Sequence, residues 1–160
     1  MTTKHDAIIF LENTIRPALR SIELWTPAAG ELLLGTAIVE SDLVHRRQFP
    51  RGPARSFFQM EPATHDDIWN NFLKYKPDLA RAISSLMTSP DADKLVELEK
   101  NDKYACAMAR AHYARVKWPL PTAGEVVAMA RYWKDFYNTA GGLGTWQKYV
   151  EKWNKVMGGK

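Results

Sequence analysis

The chain has 160 residues, 46% of them hydrophobic and 25% charged, with nine Gly, nine Pro, a single Cys and a net charge of +4. That length suits one domain spanning residues 1–160, able to remove roughly 70% of its unfolded surface from water without staples. One Cys excludes an intramolecular disulfide framework and a multi-Cys zinc site. The apolar run at Leu32-Leu33-Leu34 is broken by Gly35, Thr36 and Glu40, short of the ~18 residues that a membrane span needs. The opening Met-Thr-Thr-Lys-His-Asp lacks a basic-then-apolar secretory signal, so export is expected to use another route.

Apolar residues recur at helical spacing almost throughout, so the expected class is all-α, with seven or eight short helices. A first helix from about Asp6 carries Ile8, Leu11, Ile15, Leu19 and Ile22 on one face, and Pro17 should kink or split it. Thr26-Pro27 reads as an N-cap followed by proline at the first helical position. The helix after it, about Ala28 to Ser41, is apolar nearly all round and is expected at the centre of the core. From Asp42 to about Met60 the helical pattern stops. Residues 45–55 hold Pro50, Gly52 and Pro53, which predicts an ordered loop, with room for a small irregular or hairpin element over 45–60.

Thr64 with Asp67 suggests a capping box for a helix buried through Ile68, Trp69, Phe72 and Leu73. Further helices are expected from Pro77 to Met87, from Ser89-Pro90 to Leu98, and along Ala105, Met108, Ala109, His112, Tyr113 and Val116. Thr122 and Glu125 read as another capping box, opening a helix through Met129, Trp133 and Tyr137 that ends at Gly141-Gly142. Thr145 should cap a last helix bearing Trp146, Tyr149, Val150 and Trp153, and Gly158-Gly159-Lys160 is expected to fray.

The segment that carries chemistry starts at Gly35 and ends its helix at Glu40-Ser41, then resumes after the loop as Gly52-Pro-Ala-Arg-Ser56-Phe57-Phe58-Gln59-Met60-Glu61-Pro62-Ala-Thr64. Tyr137-Asn138-Thr139-Ala140-Gly141 follows near the C-terminus. This order resembles the soluble lytic transglycosylase and goose-type lysozyme group over about residues 28 to 142. That group has a helix ending in Glu-Ser, a Gly-x-x-Gly-Leu-Met-Gln-x-x-Pro-x-Thr loop and an Ala-Tyr-Asn-Ala-Gly element. Gln59, Pro62 and Thr64 keep their intervals, whereas Ser56 stands for the second Gly, Phe57-Phe58 for Leu-Met, and one residue is inserted before Ala140-Gly141. A Gly replaced by a bulkier residue alters the backbone angles that are cheaply reached, which bears on the shape of the groove more than on the acid.

The resemblance implies a lysozyme-like fold and cleavage of peptidoglycan between N-acetylmuramic acid and N-acetylglucosamine. Glu40 would be the general acid and base. Gln59 would line the groove near the N-acetyl group, Tyr137 would lie close to Glu40 and orient it, and Ser41 and Phe58 would flank the substrate. It also implies a phage-encoded enzyme that needs no cofactor, is carried in the virion beside other virion proteins, or is made in the host cytoplasm and released to the wall. The competing expectation is a phage structural or assembly protein that keeps the scaffold without activity.

The residues themselves bear on the acid. A proton donor to a leaving glycosidic oxygen must stay protonated near neutral pH. The last turn of a helix disfavours a negative charge there, and Ala37, Phe57 and Phe58 would desolvate Glu40 further. Arg46, Arg47, Arg51 or Arg55, if close, would act the other way. Asp42 and Glu61 are the nearest candidates for a second carboxylate, and substrate-assisted enzymes do without one. Ser41 reads as a hydrogen-bonding residue of the helix end rather than a nucleophile.

His5, His45, His65 and His112 lack ligand spacing, so no metal site is expected. Cys106 sits among alanines as a small core residue. Trp69, Trp133, Trp146 and Trp153 fall at core spacing, leaving Trp25 or Trp118 for the surface. The arginines of the 45–55 loop would suit an anionic partner or simple solvation, and no nucleic-acid-binding signature accompanies them.

Overall fold

The computed structural model describes residues 2–138 and 142–158. The Thr139-Ala140-Gly141 part of the C-terminal motif, with the helix end expected at Gly141, and the tail at Gly159-Lys160 lie outside the described residues. Within them the chain is all-helical. No strand forms, and the 45–60 segment shows only isolated antiparallel bridges between Arg47 and Arg55 and between Arg55 and Met60.

Helix α1 (Lys4–Phe10) begins at a capping box in which Thr3 and Asp6 satisfy each other's backbone N–H. Pro17 acts as expected, by a specific route. Residues Leu11–Ile15 widen into a π-turn, the Arg16 N–H reaches the Leu11 carbonyl, and Pro17 falls in the first turn of α2 (Arg16–Ser21), where its missing donor costs little. Thr26 Oγ1 accepts from Ala29 N–H to open α3 (Pro27–Ser41), which is buried from Ala29 through Ile38 except at Glu31. Gly35 lets the Tyr149 ring lie directly on α3, since a Cβ there would fall 1.9 Å from Tyr149 Oη. Thr36 Oγ1 and Tyr113 Oη, 2.8 Å apart, join α3 to the helix that carries Tyr113.

Several helix starts differ from the sequence expectation. Helix α4 (Pro62–Asn71) opens on Pro62 after Glu61, so Thr64 is already helical and caps nothing. Helix α5 (Pro77–Ser84) stops short of Met87, and the chain tightens into three-residue turns at Leu86 and Met87. Helix α6 (Lys94–Lys100) starts at Asp93, whose carboxylate accepts from Leu95 and Val96 N–H, not at Ser89-Pro90. Helix α7 (Asp102–Ala114) is capped by Asn101. Helix α8 (Val126–Trp133) follows a turn from Thr122 to Glu125 in which no capping box forms, and it runs on into a π-turn, Lys134–Asn138. Thr145 caps α9 (Trp146–Met157) as its position predicts.

Helix α3 lies against α7, α8 and α9, and the largest fully buried side chains of the core include Trp133, Tyr104, Tyr113, Tyr149 and Phe58. Cys106 is buried in this core. Trp118 is 69% exposed, whereas Trp25 packs partly against the core with the Arg16 guanidinium 4.4 Å from its ring. Among the described residues no helix is long and apolar enough to cross a membrane.

Three of the four arginines of the 45–55 loop are bonded within the protein. Arg46 makes a two-pronged pair with Asp102 at 2.9 Å, Arg47 pairs with Glu99 at 3.2 Å, and Arg55 Nη1 donates to the Leu95 carbonyl at 3.3 Å. They tie the loop to α6 and the start of α7. Only Arg51 of the four is left with no such contact among the described residues and lies exposed.

Candidate active site

Helix α3 delivers Glu40 to the wall of a cleft of about 1080 Å³. The end of α3, the 45–61 loop, α4, α7, the α8 π-turn and α9 all contribute to its lining. Helix α3 ends because Asp42 turns left-handed at φ 55°, a conformation that Asp tolerates better than most residues. Lys152 on α9 pairs with Asp42 at 3.2 Å.

The Glu40 carboxyl is largely enclosed, although its side chain reaches the cleft. Trp133 Nε1–H donates to Oε2 at 3.0 Å, and the Asn138 side chain also bonds the carboxyl. The Asn138 Oδ1 is meanwhile held by the Lys134 ammonium at 2.8 Å, which leaves its amide N–H for Glu40. These donors and the more distant charge of Lys152 favour the ionised form, but burial outweighs them and pushes the carboxyl up to about 7. Burial thus acts in the direction expected from the sequence, with different walls. Arg46, Arg47 and Arg55 are bonded to α6 and the start of α7, and the Phe57 and Phe58 rings pack on Phe10 rather than against the acid.

The other sequence candidates separate by what their polar atoms already hold. Gln59 lines the cleft. Its amide nitrogen is spent on the Ser56 carbonyl at 2.7 Å and the His45 carbonyl at 3.3 Å, so it anchors the loop while its amide oxygen has no partner among the described residues. Tyr137 also lines the cleft and feels the charge of Glu40. Its hydroxyl donates to the Phe58 carbonyl at 2.7 Å, however, and its ring stacks on Tyr113, so it braces the loop against α7 and makes no bond to the acid.

Two expectations need correction. Ser41 borders the cleft, but its hydroxyl is buried between the Ala37 and Phe57 carbonyls and accepts from Leu43 N–H, which leaves it nothing for a ligand. Phe58 is 1% exposed and turns its ring into the core, so only its backbone serves the site. The reason is local: Ser56 at φ 72° and Gln59 at φ 50° form a tight turn, closed by Phe58 N–H to Ser56 Oγ at 3.0 Å, that faces both phenylalanines inward.

Sequence reasoning missed the two donors on Glu40. Trp133 is a core residue, as its spacing suggests, and a hydrogen-bond donor besides. Asn138 lies five residues further along, out of register for an α-helix but brought round by the π-turn's i→i+5 geometry. Helical periodicity cannot signal that. Among the described residues no group of three His, Cys, Asp and Glu is placed to hold a metal ion. Asp42, Glu61 and Asp67 also line the cleft, and Asp42 and Asp67 are engaged by Lys152 and Arg115. Comparison of the chain with protein-family models, with curated proteins and with solved structures finds no match in any of the three.

Proposed function

We propose that this chain is a lysozyme-like, peptidoglycan-cleaving domain in which Glu40 acts as general acid and then base. The observation that carries the reading is that, of the carboxyls lining the cleft, Glu40 is clasped by two neutral donors and enclosed so that burial pushes it up to about 7. About half of such groups carry a proton at neutral pH, whereas an ordinary glutamate would be almost wholly ionised. The order of parts supports the same reading: a buried helix ending in the acid, a tight loop carrying Gln59, then α7 and the Tyr137-bearing turn across the cleft.

In this scheme Glu40 gives its proton to the bridging oxygen as the bond from that oxygen to the anomeric carbon breaks. The acetamido oxygen of the same sugar closes on the anomeric carbon and takes the place of a second carboxylate. The Glu40 carboxylate then removes a proton from the sugar's 6-hydroxyl, which attacks the anomeric carbon as the bond from that carbon to the acetamido oxygen breaks, leaving an anhydro-sugar with its acetamido group restored. A water in place of that hydroxyl gives hydrolysis. Action from a phage particle or after release at lysis belongs to the same proposal.

The test is release of dye from labelled peptidoglycan by the purified chain and by E40Q between pH 5 and 9. The wild type is expected to be active and to lose activity as pH rises through about 7, where the donor loses its proton. E40Q is expected to be inactive throughout. Products one water lighter than hydrolysis fragments identify the anhydro route. No release by the wild type at any pH, or equal release by E40Q, defeats the proposal and leaves an inactive scaffold protein as the alternative.

A further inference from the structure

We infer that His112 is a fixed, uncharged hydrogen-bond donor of the cleft, presenting Nε2–H to the acetamido carbonyl of a bound glycan; this rests on the glycan reading above. His112 lies on α7 and lines the cleft together with Arg115, Asp67 and Tyr137. Arg115 Nη2 lies 2.7 Å from His112 Nδ1, and Arg115 Nη1 donates to Asp67 at 2.7 Å. A guanidinium can only donate, so Nδ1 must accept and the ring proton must sit on Nε2. Asp67 fixes the guanidinium that in turn fixes the imidazole.

Burial, with the Arg115 charge next in weight, drives the imidazolium down to about 4, so the ring stays neutral across the range in which Glu40 titrates. Nε2 has no partner among the described residues, and the Tyr137 ring meets the imidazole edge-on with centroids 4.9 Å apart. The site is therefore a neutral donor flanked by an apolar ring. An uncharged acceptor beside a methyl group suits it.

The test has two arms. Imidazole ¹⁵N spectra of the full chain are expected to show the Nε2–H tautomer of His112 unchanged from pH 5 to 8, and R115M is expected to mix the tautomers. An Nδ1–H tautomer, or titration near the ordinary histidine value, overturns the inference without reference to any ligand. In the second arm, calorimetry with tetra-N-acetylchitotetraose is run on E40Q, which binds without turnover. Adding H112F should weaken binding about tenfold, the scale of one hydrogen bond. Adding H112Q, which keeps an N–H donor, should restore most of it, and fully deacetylated chitotetraose should be insensitive to either change. If E40Q binds the acetylated sugar and H112F is no weaker, the inference fails alone. If neither E40Q nor the wild type binds either sugar, the glycan reading fails and takes the inference with it.

Discussion

Replacing Glu40 by Gln should make the protein more stable, by an amount that grows from about pH 4.5 and levels off above about pH 7. Burial raises this carboxyl from the ordinary 4.5 to about 7. The unfolded chain therefore ionises first. Below about pH 4.5 both states hold the proton and Glu40 contributes no penalty; between about 4.5 and 7 the folded state keeps a proton that the unfolded state has released, and stability falls steadily; above about 7 the loss is complete. At about 1.4 kcal/mol per pH unit the total reaches up to about 3 kcal/mol. A glutamine keeps a carbonyl oxygen for Trp133 Nε1–H and carries no charge to desolvate. E40Q should thus match the wild type at pH 4.5 and exceed it at pH 8 by up to about 3 kcal/mol, or about 6–12 °C in melting midpoint for a domain of this size. Urea unfolding of both proteins at half-unit steps from pH 4 to 9 measures the difference. A difference that does not change with pH would show that the folded state does not raise this acid and would remove the basis for its role as proton donor.

Ser56 holds a left-handed φ of 72° and also caps Phe58 N–H through Oγ. S56A keeps the backbone strain and orphans that buried N–H, so it should lose about 1–3 kcal/mol in urea unfolding. S56G relieves the strain while losing the same bond, and should fall measurably less. The buried Tyr149 hydroxyl has no hydrogen-bond partner among the described residues, so Y149F should be at least as stable as the wild type in thermal melts. G35A should lose about 1–3 kcal/mol because its Cβ meets that hydroxyl, and G35A/Y149F should recover part of the loss. R46A removes a bidentate pair with Asp102 and the guanidinium 4.2 Å from the Phe57 ring, and should cost about 1 kcal/mol at low salt and less at high salt. An unchanged melting midpoint in R46A at low salt would dismiss the idea that these arginines hold the loop to α6 and α7.

Local chemistry was enough to read the helical class, the central burial of α3 and the caps at Thr26 and Thr145, because apolar period, proline and hydroxyl placement act within a few residues. The disruption at Pro17 was legible for the same reason, although not the π-turn that absorbs it. Starts that depend on which of several polar residues wins were not legible: Asp93 and Asn101 cap their helices, and the Thr64 and Thr122 boxes do not form. Glu40 stood out in the sequence by its place at the end of an apolar helix together with the order of motifs that follows it. What surrounds it did not, since Trp133 and Asn138 come from another helix and meet it only through tertiary packing and a π-turn. The same holds for the loop arginines, whose partners Asp102, Glu99 and Leu95 lie far along the chain. A sequence displays which groups can ionise or donate. Which of them share a dry wall, and so how strongly burial outweighs hydrogen bonding at Glu40, is decided by the packing of α3 against α8 and α9.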